Sequence, residues 1–309
     1  MRYTRRRFIK TLGAAGAGLY ASTFVGCGKE GGKVGARVLR SNDLSDKLAV
    51  AVGGEIDDMV RKTMKALGGM DKLVRKGDTV VVKPNIGWAR KPELGACSNP
   101  QTVATVVRLC LEAGAKEVKV FDIPCDDKRR TYSESGIRKA AEEAGANVLY
   151  VDDSRFVDLE IPDGKALTNW PTYRDALECD VLINVPIPKS HGSTGLTLSL
   201  KNLMGVAGGN RGKWHQELHT KIADFYTVVP CDLSVIDGYR IMVTNGPSGG
   251  RPEYVEVKKT IAICKDSIAA DAFAAKELFG IAPEKIGYIS QAHERGLGDM
   301  RYESRLVKL

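Results

Sequence analysis

The chain has 309 residues, of which 43% are hydrophobic and 27% are charged, enough for one large α/β domain or two small ones. This apolar content excludes intrinsic disorder, and seven cysteines are too few for a disulfide-dense scaffold. The formal net charge of +8 is concentrated at the N-terminus, because residues 1–27 hold five basic residues and no acidic one, which leaves +3 for the remainder. A nucleic-acid-binding domain would carry its basic face on the fold itself, so we expect no nucleic acid as a partner.

The N-terminus resembles a twin-arginine export signal. Residues 4–10 read Thr-Arg-Arg-Arg-Phe-Ile-Lys and match the pattern S/T-R-R-x-F-L-K, with Ile9 in place of Leu. The uncharged, Gly- and Ala-rich segment that follows is short for a membrane-crossing helix and is typical of a removable signal. We therefore predict a signal peptide over residues 1–27, with the twin-arginine translocation machinery as a partner.

A candidate lipid attachment site ends this segment. Residues 24–27, Phe-Val-Gly-Cys, resemble a lipobox, in which Cys27 would be lipidated, although Phe24 stands where Leu is usual. The Gly-rich residues after Cys27 predict a flexible linker over 28–35. The expected location is the periplasm, either as a lipoprotein on the outer side of the inner membrane or as a freely soluble protein. Contact with the membrane is expected only through the lipid anchor.

From residue 36 onward, short apolar segments alternate with helical patterns. Predicted strands cover 36–40, 79–83, 117–121, 147–151, 179–185, 232–237 and 259–263. Predicted helices cover 57–67, 101–113, 135–144, 199–206, 216–226 and 267–279. This alternation predicts an α/β fold of three layers, a mostly parallel sheet with helices on both faces. No clear break in charge or glycine content appears, so we predict a single domain over residues 36–309.

Polar residues follow several predicted strands, together with Pro or Gly. These segments are Lys-Pro-Asn at 83–85, Asp-Ile-Pro-Cys at 122–125, Pro-Lys-Ser-His at 188–191 and Asp-Gly at 237–238. Ligands of parallel α/β sheets bind beyond the carboxyl ends of the strands. The sequence therefore predicts a binding site at this edge.

Linked motifs at the same positions resemble those of the domain of unknown function 362 (DUF362) family. The motifs include Val-Val-Lys-Pro-Asn at 81–85, Lys-Ser-His-Gly at 189–192, Leu-Lys-Asn-Leu-Met-Gly at 200–205 and Asn-Gly-Pro at 245–247. The resemblance covers residues 36–280 and implies no particular reaction. Many members carry a ferredoxin-like iron–sulfur module, but this chain contains no C-x-x-C sequence, so no such cluster is expected here.

The densest polar group predicts a site for a small anion. Lys189, His191 and Lys201 are the candidate catalytic residues, because lysine and histidine bind carboxylate or phosphate and exchange protons near neutral pH. The candidate ligand-binding residues are Lys83, Asn85, Asn202, Arg211 and Asp237. In the alternative interpretation, Lys201 and Asn202 lie on an exposed helix face and His191 is an ordinary turn residue.

Two further groups suggest a metal, each with a simpler alternative. His215 and His219 stand four apart on the predicted helix 216–226, a spacing that places both on one face and suits a metal ion. A solvated helix face explains the same pair, and the HExxH pattern is absent. Cys97 and Cys125 follow successive strands and could form a disulfide, bind a metal or be buried separately.

Three hypotheses about function remain. The favoured one is an exported enzyme or redox accessory protein that binds a small anionic ligand at the strand ends. The others are a non-catalytic binding or scaffold lipoprotein that uses the same pocket, and a metallocofactor protein. The sequence does not identify a substrate, a cofactor or a reaction.

Overall fold

The structure, a computed structural model, describes residues 34–309. The expected signal over 1–27, its lipobox cysteine Cys27 and most of the predicted linker lie outside the described residues. Residues Val34–Leu309 form one compact unit. Within this part of the chain no helix is both long and apolar enough to cross a membrane.

The strands of residues 34–309 form one large sheet and one separate hairpin. They are β1 (Leu48–Val52), β2 (Thr79–Pro84), β3 (Glu117–Val120), β4 (Asn147–Val148), β5 (Phe156–Glu160), β6 (Asn169–Tyr173), β7 (Val181–Val185), β8 (Lys189–His191), β9 (Gly195–Thr197), β10 (Leu233–Met242), β11 (Val255–Cys264) and β12 (Leu306–Lys308). The main path of the large sheet is β12-β1-β11-β10-β7-β2-β3-β4, with β8 beside β10 and β9 beside β8. The separate hairpin is β5–β6.

The α-helices of the same residues lie between the strands along the chain. They are α1 (Ile56–Ala66), α2 (Pro100–Glu112), α3 (Lys128–Glu134), α4 (Ile137–Glu143), α5 (Arg174–Glu178), α6 (Ser199–Asn202), α7 (Leu218–Tyr226), α8 (Ser267–Phe273) and α9 (Gly287–Glu294). Helix α6 continues into a 3-10 turn, Leu203–Val206, and a second 3-10 turn covers Arg211–His215.

The predicted fold class is confirmed. Strands β10, β7, β2, β3 and β4 pair in parallel, whereas β11 pairs antiparallel with both β10 and β1. Along β2, Val80 and Val82 pack into the apolar cluster that contains residues of α1 and α2, and Val81 packs into the cluster that contains residues of α7, α8 and α9. Because successive side chains of a strand point to opposite faces, the sheet is covered on both sides.

The predicted strand at 36–40 is wrong. This segment is held by ion pairs instead of a strand ladder: Arg37 pairs with Asp232, and Arg40 lies 2.7 Å from Asp78. The first strand of the sheet is β1, an apolar segment further along the chain. The predicted helix at 135–144 is shorter, because Gly136 adopts a left-handed conformation (φ 69°) and separates α3 from α4.

Candidate functional site

A cavity of about 640 Å³ opens beyond the carboxyl ends of β2, β3 and β7, at the edge of the sheet where the sequence predicts a binding site. Eight of the predicted residues line it: Lys83, Asn85, Lys189, His191, Lys201, Asn202, Arg211 and His215. The β8–β9 hairpin supplies Lys189 and His191, and α6 supplies Lys201 and Asn202. The fold therefore brings together residues that are more than 100 positions apart in the sequence.

A buried ion pair forms the floor of the cavity. Lys83 Nζ lies 2.8 Å from Asp122 Oδ1 and donates to the carbonyl oxygen of Pro84 at 2.7 Å. Burial lowers the pKa of Lys83, and the charge of Asp122 opposes that effect. Asp122 also accepts from the backbone N–H of Ile86 at 2.6 Å. In the sequence, Asp122 stands out only as a residue that follows a predicted strand, because its lysine partner lies on a different strand.

Close packing over this ion pair requires a glycine. A Cβ atom on Gly205 would lie 1.8 Å from Asp122 Oδ1 and 2.6 Å from Lys83 Nζ. The turn after α6 therefore passes directly over the two charged groups, which only a residue without a side chain permits. This close approach explains why Gly205 belongs to the motif at 200–205.

Lys189 is buried in the wall of the cavity. Its side-chain amine donates to Asn85 Oδ1 at 3.0 Å and to the carbonyl oxygen of Ala96 at 2.7 Å. Neither acceptor carries a charge. Burial lowers the pKa of Lys189 to about 8, so the amine exchanges protons near physiological pH.

A chain of side-chain amides orients the acceptor for Lys189. Asn184 Nδ2 donates to the carbonyl oxygen of Ser199 at 2.8 Å, which leaves its Oδ1 to accept from Asn202 Nδ2 at 2.7 Å. Asn202 Oδ1 in turn accepts from Asn85 Nδ2 at 2.9 Å. The backbone carbonyl oxygen of Ser199 can only accept a hydrogen bond, so Asn184 must direct its Nδ2 toward it. Each following side-chain amide is then oriented in turn. Asn85 therefore presents its oxygen to the lysine.

Lys201 and His191 also line the cavity. The Lys201 amine has the thioether sulfur of Met204 within 3.9 Å, and burial together with the charge of Lys189 lowers the pKa of Lys201 to about 8. His191 Nδ1 accepts from the backbone N–H of Ser193 at 3.1 Å, which assigns the ring proton to Nε2. Burial, with a contribution from the charge of Lys201, lowers the pKa of His191 to about 3. The imidazole is therefore neutral near pH 7.

Arg211 joins two loops at the rim. Its guanidinium donates to the carbonyl oxygens of Ile123 and Pro124, both at 3.0 Å, and to that of Met204 at 3.3 Å. These contacts connect the loop after β3 with the turn after α6. All three acceptors are uncharged, so these contacts place no negative charge beside the guanidinium.

Two predicted residues, Asp237 and His219, are not among those that line the cavity. Asp237 is fully buried beneath the start of α2, where it accepts from the backbone N–H of Asn99 and from Thr102 Oγ1. Burial raises the pKa of Asp237 to about 6. It therefore orients a helix, and it is not among the residues that line the cavity. The predicted strand stopped at Asp237, whereas β10 continues to Met242, so the carboxylate lies within the strand instead of beyond its end.

His215 and His219 do not share a helix face. Glu217 adopts a left-handed conformation (φ 60°), so α7 begins only at Leu218 and His215 ends the preceding 3-10 turn. His219 Nδ1 accepts from the backbone N–H of Tyr288 at 3.1 Å. The ring of His215 instead stacks on that of His191, with 6.4 Å between centroids.

A protein metal site needs several ligating side chains close together. In residues 34–309 no group of three or more His, Cys, Asp or Glu side chains is placed to hold a metal ion. Cys97 and Cys125 are both free thiols; Cys97 is buried, with its sulfur 3.1 Å from the carbonyl oxygen of Trp88, and Cys125 is exposed. The two thiols therefore form no disulfide, and the prediction of separate burial is confirmed for Cys97 and wrong for Cys125.

Comparison with known proteins identifies the family. The model of a domain of unknown function (DUF362) matches residues 80–276, so the chain belongs to this family and the resemblance of its motifs is confirmed. A thylakoid-associated protein of Synechocystis sp. is 27% identical over 253 residues, which are 79% of this chain and 76% of that protein.

Two solved structures are similar at low identity. The lactate racemase apoprotein from Thermoanaerobacterium thermosaccharolyticum matches with a TM-score of 0.42 and 11% identity, over 67% of this chain and 54% of that one. A protein from Thermotoga maritima matches with a TM-score of 0.41 and 14% identity, over 78% of this chain and 59% of that one. The match thus spans little more than half of either structure.

Proposed function

We propose that this member of the DUF362 family binds a small anionic ligand, a carboxylate or a phosphate, in the cavity beyond β2, β3 and β7. The observation that carries this proposal is the charge of the lining, in which four basic side chains meet one carboxylate. The carboxylate, Asp122, already forms an ion pair with Lys83. Lys189, Lys201 and Arg211 contact only uncharged groups in their hydrogen bonds. Burying such cations costs free energy, and a bound anion offsets that cost.

The same groups support acid–base chemistry on the ligand. A neutral His191 donates from Nε2, and the two lysines with a pKa near 8 gain and lose protons close to neutral pH. We therefore favour an enzyme over a passive carrier. A non-catalytic binding protein would use the same contacts. Its ligand binding would survive His191→Ala, and it would show no turnover either with or without this substitution.

Export remains part of the proposal and rests on the sequence alone. Residues 4–10 support transport through the twin-arginine machinery, and Cys27 supports a lipid anchor on the outer side of the inner membrane. In the periplasm, the cavity would be exposed to the small anions of that compartment.

Titration calorimetry on the full chain tests the anion site. Acetate, oxalate and inorganic phosphate are the probes, at pH 7 in a buffer without carboxylate or phosphate. At least one anion is expected to bind, and Lys201→Gln should weaken it about tenfold or more, because it removes one charge from a desolvated site.

The matched control is Lys139→Gln, which changes an exposed lysine of α4 whose side chain is 82% accessible. This variant should bind like the wild type. Absence of binding for all three anions, or an equal loss in the two variants, would refute the proposed function.

A further inference from the structure

The amine of Lys201 lacks the partners of the other cavity lysines. Lys83 has the carboxylate of Asp122 at 2.8 Å, and Lys189 donates to two oxygen acceptors. Within residues 34–309, the hydrogen-bond partner of Lys201 Nζ is the sulfur of Met204 at 3.9 Å, and a thioether is a weak acceptor. Within the described residues, no protein oxygen is therefore hydrogen-bonded to this amine to stabilise its charged form.

The surroundings of this amine favour its neutral, nucleophilic form. Burial and the charges of Lys189 and Arg211 lower the pKa of Lys201 to about 8. About one amine in ten is then unprotonated at pH 7, against about one in three thousand at the ordinary pKa of lysine. A desolvated lysine beside a second cation is an arrangement that activates the amine for attack on carbonyl compounds.

We infer that Lys201 forms an imine with the carbonyl group of a small oxo acid whose carboxylate is held by Lys189 and Arg211. This inference rests on the proposed function, because the same cations that would bind a plain carboxylate would place the carbonyl of an oxo acid beside the free amine. It narrows the ligand from any small anion to a carboxylate that carries an aldehyde or ketone.

The step needs no oxidant or reductant. The lone pair of the unprotonated Lys201 nitrogen forms a bond to the carbonyl carbon, and one of the two amine protons passes through water to the carbonyl oxygen to give a carbinolamine. The hydroxyl group then takes a proton from water and leaves as water, with a hydrogen bond from Nε2–H of the neutral His191, while the nitrogen gives its second proton back to water. Overall, one amine and one carbonyl group give one imine and one water molecule.

Reductive trapping tests the inference. The full chain is incubated with glyoxylate, an aldehyde acid, and sodium cyanoborohydride at pH 7, and the product is examined by intact-mass and peptide mass spectrometry. We expect one carboxymethyl group per chain on the peptide that contains Lys201, formed at least tenfold faster than on Lys139, an exposed lysine. Acetate, which has no carbonyl, should slow the labelling by competing for the same cations.

Acetate binding by the wild-type chain, which needs no carbonyl group, separates this inference from the proposed function. Lys201→Arg, whose guanidinium cannot form this imine, should lose the cavity label. Labelling of wild type that goes to Lys189, or that is spread over surface lysines, overturns the inference while acetate binding upholds the anion site. Absence of both acetate binding and protection by acetate overturns both. Because the label is located in the wild-type chain, a folding defect in the variant cannot decide the result.

Discussion

Replacing Lys201 with methionine should make the protein more stable while it removes the site. Burial, with a contribution from neighbouring cations, lowers the pKa of Lys201 from 10.5 to about 8. At about 1.4 kcal/mol per pKa unit, the charged amine costs up to about 3 kcal/mol of folding free energy at pH 7. Methionine has a similar length and no charge, so Lys201→Met should raise the free energy of unfolding by about 2–3 kcal/mol, allowing for the part of the amine that water reaches.

The sign of this effect depends on pH in a defined way. Below pH 8 the lysine is protonated in both the folded and the unfolded chain, so the full cost is present. Between pH 8 and 10.5 the folded chain releases the proton while the unfolded chain retains it, and the cost declines. The advantage of Lys201→Met should therefore be largest at pH 7 and small at pH 10.

Urea unfolding followed by tryptophan fluorescence measures this difference at both pH values, in buffers without carboxylate or phosphate, because a bound anion would itself stabilise the wild type. Lys139→Met, an exposed change on α4, is the control and should shift the free energy of unfolding by less than about 0.5 kcal/mol. A variant no more stable than the wild type at pH 7, or a gain that is the same at pH 10, would refute the reasoning.

Three further predictions concern the buried ion pair, the anion site and export. Gly205→Ala should lower the free energy of unfolding by about 3–5 kcal/mol, because its Cβ would displace Asp122 from a buried ion pair; an unchanged urea midpoint would contradict the close approach. Acetate affinity should fall about tenfold between pH 7 and pH 9 as the pKa of Lys189 near 8 is passed, and a flat calorimetric profile would count against an anion site built from lysines. The double variant Arg5→Lys, Arg6→Lys should leave the chain in the cytoplasm on cell fractionation, whereas normal export would contradict the twin-arginine proposal.

The sequence could not predict which side chains contact one another within the site. Neither the pairing of Lys83 with Asp122 nor the amide chain from Asn184 to Asn85 has a local sequence signal, because each contact joins segments that lie far apart along the chain. Backbone conformation was equally hidden: the left-handed Glu217 separates two histidines that helical spacing would have placed together.

The sequence by itself determined the fold class and the edge of the sheet at which the cavity lies. Parallel strands all end on the same side of a sheet, so the order of strands and helices along the chain is enough to predict that Lys83, Lys189 and His191 converge. Only the tertiary structure decided which charges remain without a counter-charge. That outcome depends on which side chains meet after the sheet is formed, and burial then alters the pKa of each group according to its neighbours.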